Sequence, residues 1–335
     1  MAEDVLHPRD SYRLDDIEAP AAALAAAAAR GRLHHAWLLT GPEGVGKASF
    51  AYRAARWLLG AAGHPAYGPL GTSPEDPVAR LVASRSHPDL LVLEREADKK
   101  SISVEEARRL PEFFANTPAL APYRVAIIDA ADDLNVNSAN AVLKTLEEPP
   151  SRGVLLLVSH APGRLLPTIR SRCRRLGFQG WDEARLTAFI EARTGLAGED
   201  AARIADMAKG APGRALALAA GGALAVDAAA RRLLASLPQA DEAQLVSLAD
   251  GFRGGEGAAR FALLLERLAE RVRRAATAAA LAGETGEGVE AWAGAWGRLD
   301  ALPGQVEALN LDRADAFWSA LEALRRAARA RPFPV

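Results

Sequence analysis

Only one of the 335 residues is a cysteine, Cys173. No internal disulfide framework can form, and neither can a zinc site of four cysteines or of a cysteine pair and a histidine pair. An excess of one charge is missing too. With 41 basic and 42 acidic residues the formal net charge is −1, which excludes a polycation that coats nucleic acid by charge alone. There is no run of about 18 apolar residues, the length a membrane-spanning helix needs. The opening MAEDVLHPRD has no basic n-region and no apolar h-region. These absences predict a soluble, cytoplasmic protein with no membrane partner. What is present is ordinary for a globular chain, half hydrophobic and a quarter charged, with length for two or three domains.

Composition changes along the chain. Up to residue 178, short apolar runs alternate with helical stretches. The runs are Ala36 to Gly41, Leu90 to Glu96, Arg124 to Ala130 and Gly153 to His160. Continuous apolar runs bounded by turn residues suit strands buried on both faces of a parallel sheet, and helices at Ser49–Leu59, Ser103–Ala115 and Ser138–Glu148 suit its crossovers. Gly60 to Pro77 is rich in glycine and proline without periodicity, which predicts a long surface loop. Beyond residue 180 the pattern is helical. Three segments follow, 1–179 as an α/β domain, 180–222 as a small helical unit and 223–335 as a helical domain. In the last, Phe261, Leu264, Leu265, Leu268 and Phe317, Leu321, Leu324 mark amphipathic faces.

The sharpest local motif is Gly41-Pro42-Glu43-Gly44-Val45-Gly46-Lys47, between a strand and a helix. This is the skeleton of a phosphate-binding loop, in which Gly41, Gly44 and Gly46 let backbone N–H groups turn inward, the helix N-terminus adds positive potential and Lys47 reaches the outer phosphates. The strand before it and the helix after it favour this reading over a chance glycine-rich turn. Its last position, however, is Ala48, which has no hydroxyl for Mg²⁺. Ser49 is rotated by about 100° along the helix and is no substitute. The companion motif is also incomplete. Asp129 ends its apolar strand and could help hold Mg²⁺ through water, but the next residue is Ala130, where a carboxylate would polarise the attacking water. Two losses in complementary roles predict a chain that does not hydrolyse ATP and keeps at most a weak ATP or ADP site. Asp132 and Asp133 lie past the strand end and are assigned no role.

Further along, Asn140-Ala141-Val142-Leu143-Lys144-Thr145-Leu146-Glu147-Glu148-Pro149-Pro150, the strand 154–158, and Pro167-Thr168-Ile169-Arg170-Ser171-Arg172-Cys173 follow one another. With Gly31 to Gly41 and Ser86-His87-Pro88-Asp89-Leu90, this order over about the first 180 residues resembles the clamp-loader family of AAA+ proteins. The resemblance implies a RecA-like AAA+ core with a P-loop and a parallel sheet, a small helical lid and an all-α collar. It also implies a role within a heteromeric ring that loads a sliding clamp onto primed DNA during replication. The implied partners are other clamp-loader subunits, of the gamma/tau ATPase type and the delta type, with clamp and DNA reached through the complex.

In that family Arg172 stands in the S-R-C motif, where it would act in trans as an arginine finger; the alternative is a surface arginine among Arg164, Arg170, Arg174 and Arg175. Ser159 stands at the sensor-1 position, or is a strand-end hydroxyl satisfied locally. Arg214, in Gly210 to Leu216, resembles the sensor-2 arginine displaced by one position, or is a solvated helix residue. The four-cysteine zinc module of many relatives is missing from 60–85, so no zinc and no other metal is expected. Cys173 is expected to pack as a small hydrophobe. Lys99, Lys100, Arg108 and Arg109 form either a phosphate-contacting face or a solvated one. Trp292, Trp296, Phe317 and Trp318 serve either oligomerisation or the domain's own core. Two rival readings stay open: a hydrolysing motor subunit of the same ring, against which Ala48 and Ala130 count, and a nucleotide-binding scaffold outside replication.

Overall fold

Five parallel strands form one sheet in the order β2-β3-β4-β1-β5: β1 (Ala36–Thr40), β2 (Leu90–Glu94), β3 (Arg124–Asp129), β4 (Gly153–Ser159) and β5 (Arg174–Gly177). The computed structural model describes residues 7–96, 99 and 101–334, so the first six residues and Lys100 lie outside the described residues. Side chains alternate across a strand, and both faces of this sheet are covered. Trp37, Leu39, Val125, Ile127, Val154 and Leu156 bury against one set of helices, and Leu38, Leu93, Ala126, Ile128, Leu155 and Leu157 against another. That is why the strands read as unbroken apolar runs. β5 escapes the sequence reading because only Leu176 of its four residues is buried, at the sheet edge.

The helices of this region are α1 (Glu18–Ala29), α2 (Lys47–Leu58), α3 (Pro77–Ala83), α4 (Val104–Ala115), α5 (Val136–Glu147) and α6 (Pro167–Ser171). α4 starts with a capping box between Ser103 and Glu106, and Asn135 caps α5. Both α2 and α5 begin two residues before the expected starts. The loop expected over 60–77 carries a short 3₁₀ turn at Pro65–Tyr67, and Asp76 caps α3, which opens at Pro77. Arg53 on α2, 1% exposed, donates to the Tyr67, Pro69 and Tyr12 carbonyls. Arg56, equally buried, donates to the Ser11 and Arg9 carbonyls. Backbone acceptors thus take up the terminal nitrogens of two buried cations, while burial lowers the Arg53 pKa to about 10.

Helices α7 (Glu183–Thr194), α8 (Glu199–Ala208) and α9 (Pro212–Ala220) pack on one another and lie within the same compact unit, residues 1–220. The second compact unit begins at Gly221. The second unit is α10 (Ala223–Ser236), α11 (Glu242–Asp250), α12 (Gly255–Leu281), α13 (Glu287–Leu309) and α14 (Arg313–Ala330). Its core takes in Phe252, Phe261, Leu264, Leu268, Trp292, Phe317, Leu321 and Leu324. Trp292 and Phe317 therefore serve this core, as their spacing allowed, while Trp296 is 38% exposed. Arg267 and Arg271 of α12 converge on buried Asp227 of α10 at 2.8 Å. Among the described residues, no single helix is long and apolar enough to cross a membrane.

Candidate functional site

The phosphate loop sits between the end of β1 and the start of α2. Gly46, with φ of +100°, caps α2 without a side chain, and a Cβ there would meet nothing within 4 Å. Lys47 is 4% exposed, and its ammonium donates to the Gly41 carbonyl at 2.8 Å and the Pro42 carbonyl at 2.6 Å. Burial lowers its pKa, opposed by the charges of Asp129, Asp132 and Glu43. The loop lysine and the carboxylate ending β3 are thus electrostatic neighbours, as the two motifs imply. Ala48 packs partly buried against the apolar cluster beneath α2.

Asp129 has a pKa raised to about 6, chiefly by burial and then by the charge of Glu94, with Lys47 opposing. Glu94 is its register neighbour on β2. It accepts from the Tyr52 hydroxyl at 2.8 Å and pairs with Arg85. The loop, its lysine and the α2 N-terminus suit a phosphate group. Of the two motif positions that would serve Mg²⁺ and water, Ala48 carries no hydroxyl and Ala130 no carboxylate.

Asp132 has a role that the sequence reading did not give it. Its carboxylate accepts from Ser159 Oγ at 2.9 Å, from the His160 N–H at 2.8 Å and from the Ala161 N–H at 3.1 Å, and the His160 ring lies 3.2 Å away. Ser159, wholly buried, is therefore satisfied locally. The signal was Asp132's spacing of three residues from Asp129, which one 3₁₀ turn brings back to the strand ends. Asp89 explains the Ser86 to Leu90 motif in structural terms. Its side chain, fully buried, accepts the Ala119, Leu120 and Ala121 N–H groups at 2.8, 2.8 and 3.0 Å and pairs with Arg124 at 3.3 Å. Burial pushes its carboxyl up, but the N–H donors and Arg124 outweigh this and hold it below the usual carboxylate range.

The helical lid closes directly on the loop. The Gly213 N–H donates to the Gly44 carbonyl at 2.8 Å. Gly44 has φ of +77°, and a Cβ on it would lie 2.6 Å from the Arg214 nitrogen; a Cβ on Gly213 would lie 2.9 Å from the Gly44 oxygen. Arg214 thus reaches the loop through its backbone and Cβ.

Arg172 follows α6 and is partly exposed. One terminal nitrogen donates to the Thr168 carbonyl at 3.2 Å, and the other pairs with Glu147 Oε1 at 3.1 Å. Cys173 packs partly buried beside Ile169, and burial pushes its thiol up to about 12, so it behaves as a small hydrophobe. Of the basic residues near 99–109, Lys99 pairs with Glu96, and Arg108 lines a cleft of about 520 Å³ with Asn137, Asn140 and Lys144. His64 and His87 each accept a backbone N–H. Among the described residues no three His, Cys, Asp or Glu side chains are grouped to hold a metal.

Residues 18–182 match the family described as DNA polymerase III, delta subunit. The chain is 46% identical over 139 residues to the DNA polymerase III subunit delta' of Pseudomonas aeruginosa, an alignment covering 42% of this chain and 41% of that one. It is 31% identical over 190 residues to the delta' subunit of Escherichia coli K12, covering 56% and 55%. To the tau subunit of Salmonella typhimurium it is 34% identical over 169 residues, covering 50% and 25%. The chain spans about half the length of the delta' relatives it matches.

Proposed function

From a chain that belongs, through residues 18–182, to the delta' family of DNA polymerase III subunits, we propose a non-hydrolysing clamp-loader subunit. It works in the cytoplasm, within a ring that includes gamma/tau-type ATPases and a delta-type subunit, and helps load the sliding clamp onto primed DNA. Its core, lid and collar run over 1–179, 180–222 and 223–335. The observation that carries this reading is a contrast within one unit. The chain's own site has a methyl at Ala48 where Mg²⁺ needs a hydroxyl and a methyl at Ala130 where water needs a base, while Arg172 stands half-exposed between α6 and β5. A guanidinium delivered to a neighbouring subunit's ATP neutralises charge on the transferring phosphoryl group, an effect worth roughly 10³–10⁵ in rate. This chain contributes that charge and no water-activating group. ATP or ADP, if held, rests on Gly41, Gly44, Gly46 and Lys47, with Asp129 nearby and Ser159 and Arg214 in supporting places.

The test is DNA-stimulated ATP hydrolysis by the clamp loader reconstituted from the source organism, with wild-type chain and with Arg172→Ala, assembly being checked by gel filtration. The expected result is an intact ring in which hydrolysis at the adjacent site is lost. An assembled mutant ring with normal hydrolysis would remove the finger role, and a wild-type chain that joins no ring would remove the clamp-loader reading.

A further inference from the structure

We propose that Glu147 is the positioning residue for Arg172, fixing the guanidinium before it meets a neighbour's nucleotide; this rests on the finger reading above. The two residues come from different elements. Glu147 is the last residue of α5, whose Val142 and Leu146 are buried in the core, and Arg172 caps α6, whose Ile169 is fully buried. Both side chains therefore project from anchored backbone, and their heads meet at 3.1 Å. The Thr168 carbonyl takes the other terminal nitrogen at 3.2 Å. A guanidinium carries five N–H groups in a planar fork. A hydrogen bond on one terminal nitrogen and an ion pair on the other restrict the swing of that fork and leave the remaining N–H groups for an incoming anion.

The strength of the pair suits this role. Glu147 is exposed, and exposed ion pairs are weak, so the contact narrows the rotamers of Arg172 without competing against a phosphate that binds the fork in bidentate fashion. Glu148 cannot replace Glu147. It lies past the helix end with non-helical backbone angles, and one residue along the chain changes the side-chain direction.

The experiment uses the reconstituted ring for kinetics and the full chain alone for side-chain dynamics. Glu147→Ala is expected to lower kcat for DNA-stimulated hydrolysis about fivefold, the scale of one modest interaction, with KM for ATP unchanged. Glu147→Gln, which keeps an acceptor at the same reach, should restore part of the rate. In the free chain, the order parameter of the Arg172 Nε–H group should fall in Glu147→Ala. A kcat equal to wild type, a change confined to KM, or an unchanged order parameter overturns the positioning role while leaving the finger in place if Arg172→Ala still abolishes hydrolysis. If Arg172→Ala has no effect, the finger reading fails and this proposal with it.

Discussion

Asp129 should destabilise the protein that carries it. Burial and the neighbouring Glu94 raise its pKa from 3.8 to about 6, so the folded state holds its proton where the unfolded chain has released it. A shift of about 2 units corresponds to about 3 kcal/mol at neutral pH, because each unit is worth about 1.4 kcal/mol. The sign follows from which state ionises first. Below about pH 4 both states are protonated and there is no penalty. As pH rises from about 4 to 6 the unfolded chain ionises first and stability falls, and above about 6 the full penalty stands. Asp129→Asn keeps the shape and removes the ionisation, so it should raise unfolding free energy by up to about 3 kcal/mol at pH 7 and by about half as much at pH 5. The assay is urea unfolding at both pH values, followed by fluorescence of the transition that includes fully buried Trp37. A gain independent of pH, or no gain, would refute the reasoning, because only a carboxyl whose pKa is raised by folding gives a gain that grows from pH 5 to pH 7.

Two other perturbations test the scaffold. Asp89→Ala strips three backbone N–H donors and Arg124 of a buried acceptor, and should cost about 3–5 kcal/mol in urea unfolding at pH 7; a loss below about 1 kcal/mol would mean that the loop re-satisfies itself. Because the Asp89 pKa is depressed, its contribution is present above the unfolded pKa, near 4, and is lost as pH falls below that. Gly213→Ala gains about 0.5–1 kcal/mol of helix propensity but pushes a methyl to 2.9 Å from the Gly44 oxygen, so a net loss of about 1 kcal/mol is expected, read as a lower Tm and faster proteolysis between α7 and α9. A net gain would show that the lid does not bear on the loop.

The sequence made legible what depends on local pattern. Strands buried on both faces announce themselves as apolar runs, and the phosphate loop and the end of β3 are short contiguous motifs in which Ala48 and Ala130 can be read off directly. Contacts between distant segments are another matter. β5 hides because three of its four residues are polar or small, and its place comes from pairing with β1 rather than from its own propensity. Arg53 and Arg56 read as the polar face of a helix, yet they are buried because carbonyls from two separate loops converge on them. Asp132 and Glu147 gain their roles only when a turn and a helix end bring them to Ser159 and Arg172.

Gly213, just before Arg214, shows how one small residue serves a distant contact. It follows Pro212 at the start of α9, and its N–H donates to the Gly44 carbonyl at 2.8 Å. In the fold, Gly213 lies against the Gly44 carbonyl so closely that even a methyl would crowd it. A larger side chain at 213 would have to displace the Gly44 carbonyl or the start of α9. The small residue at 213 and the contact between lid and loop therefore go together, a matter of backbone packing that no local motif announces.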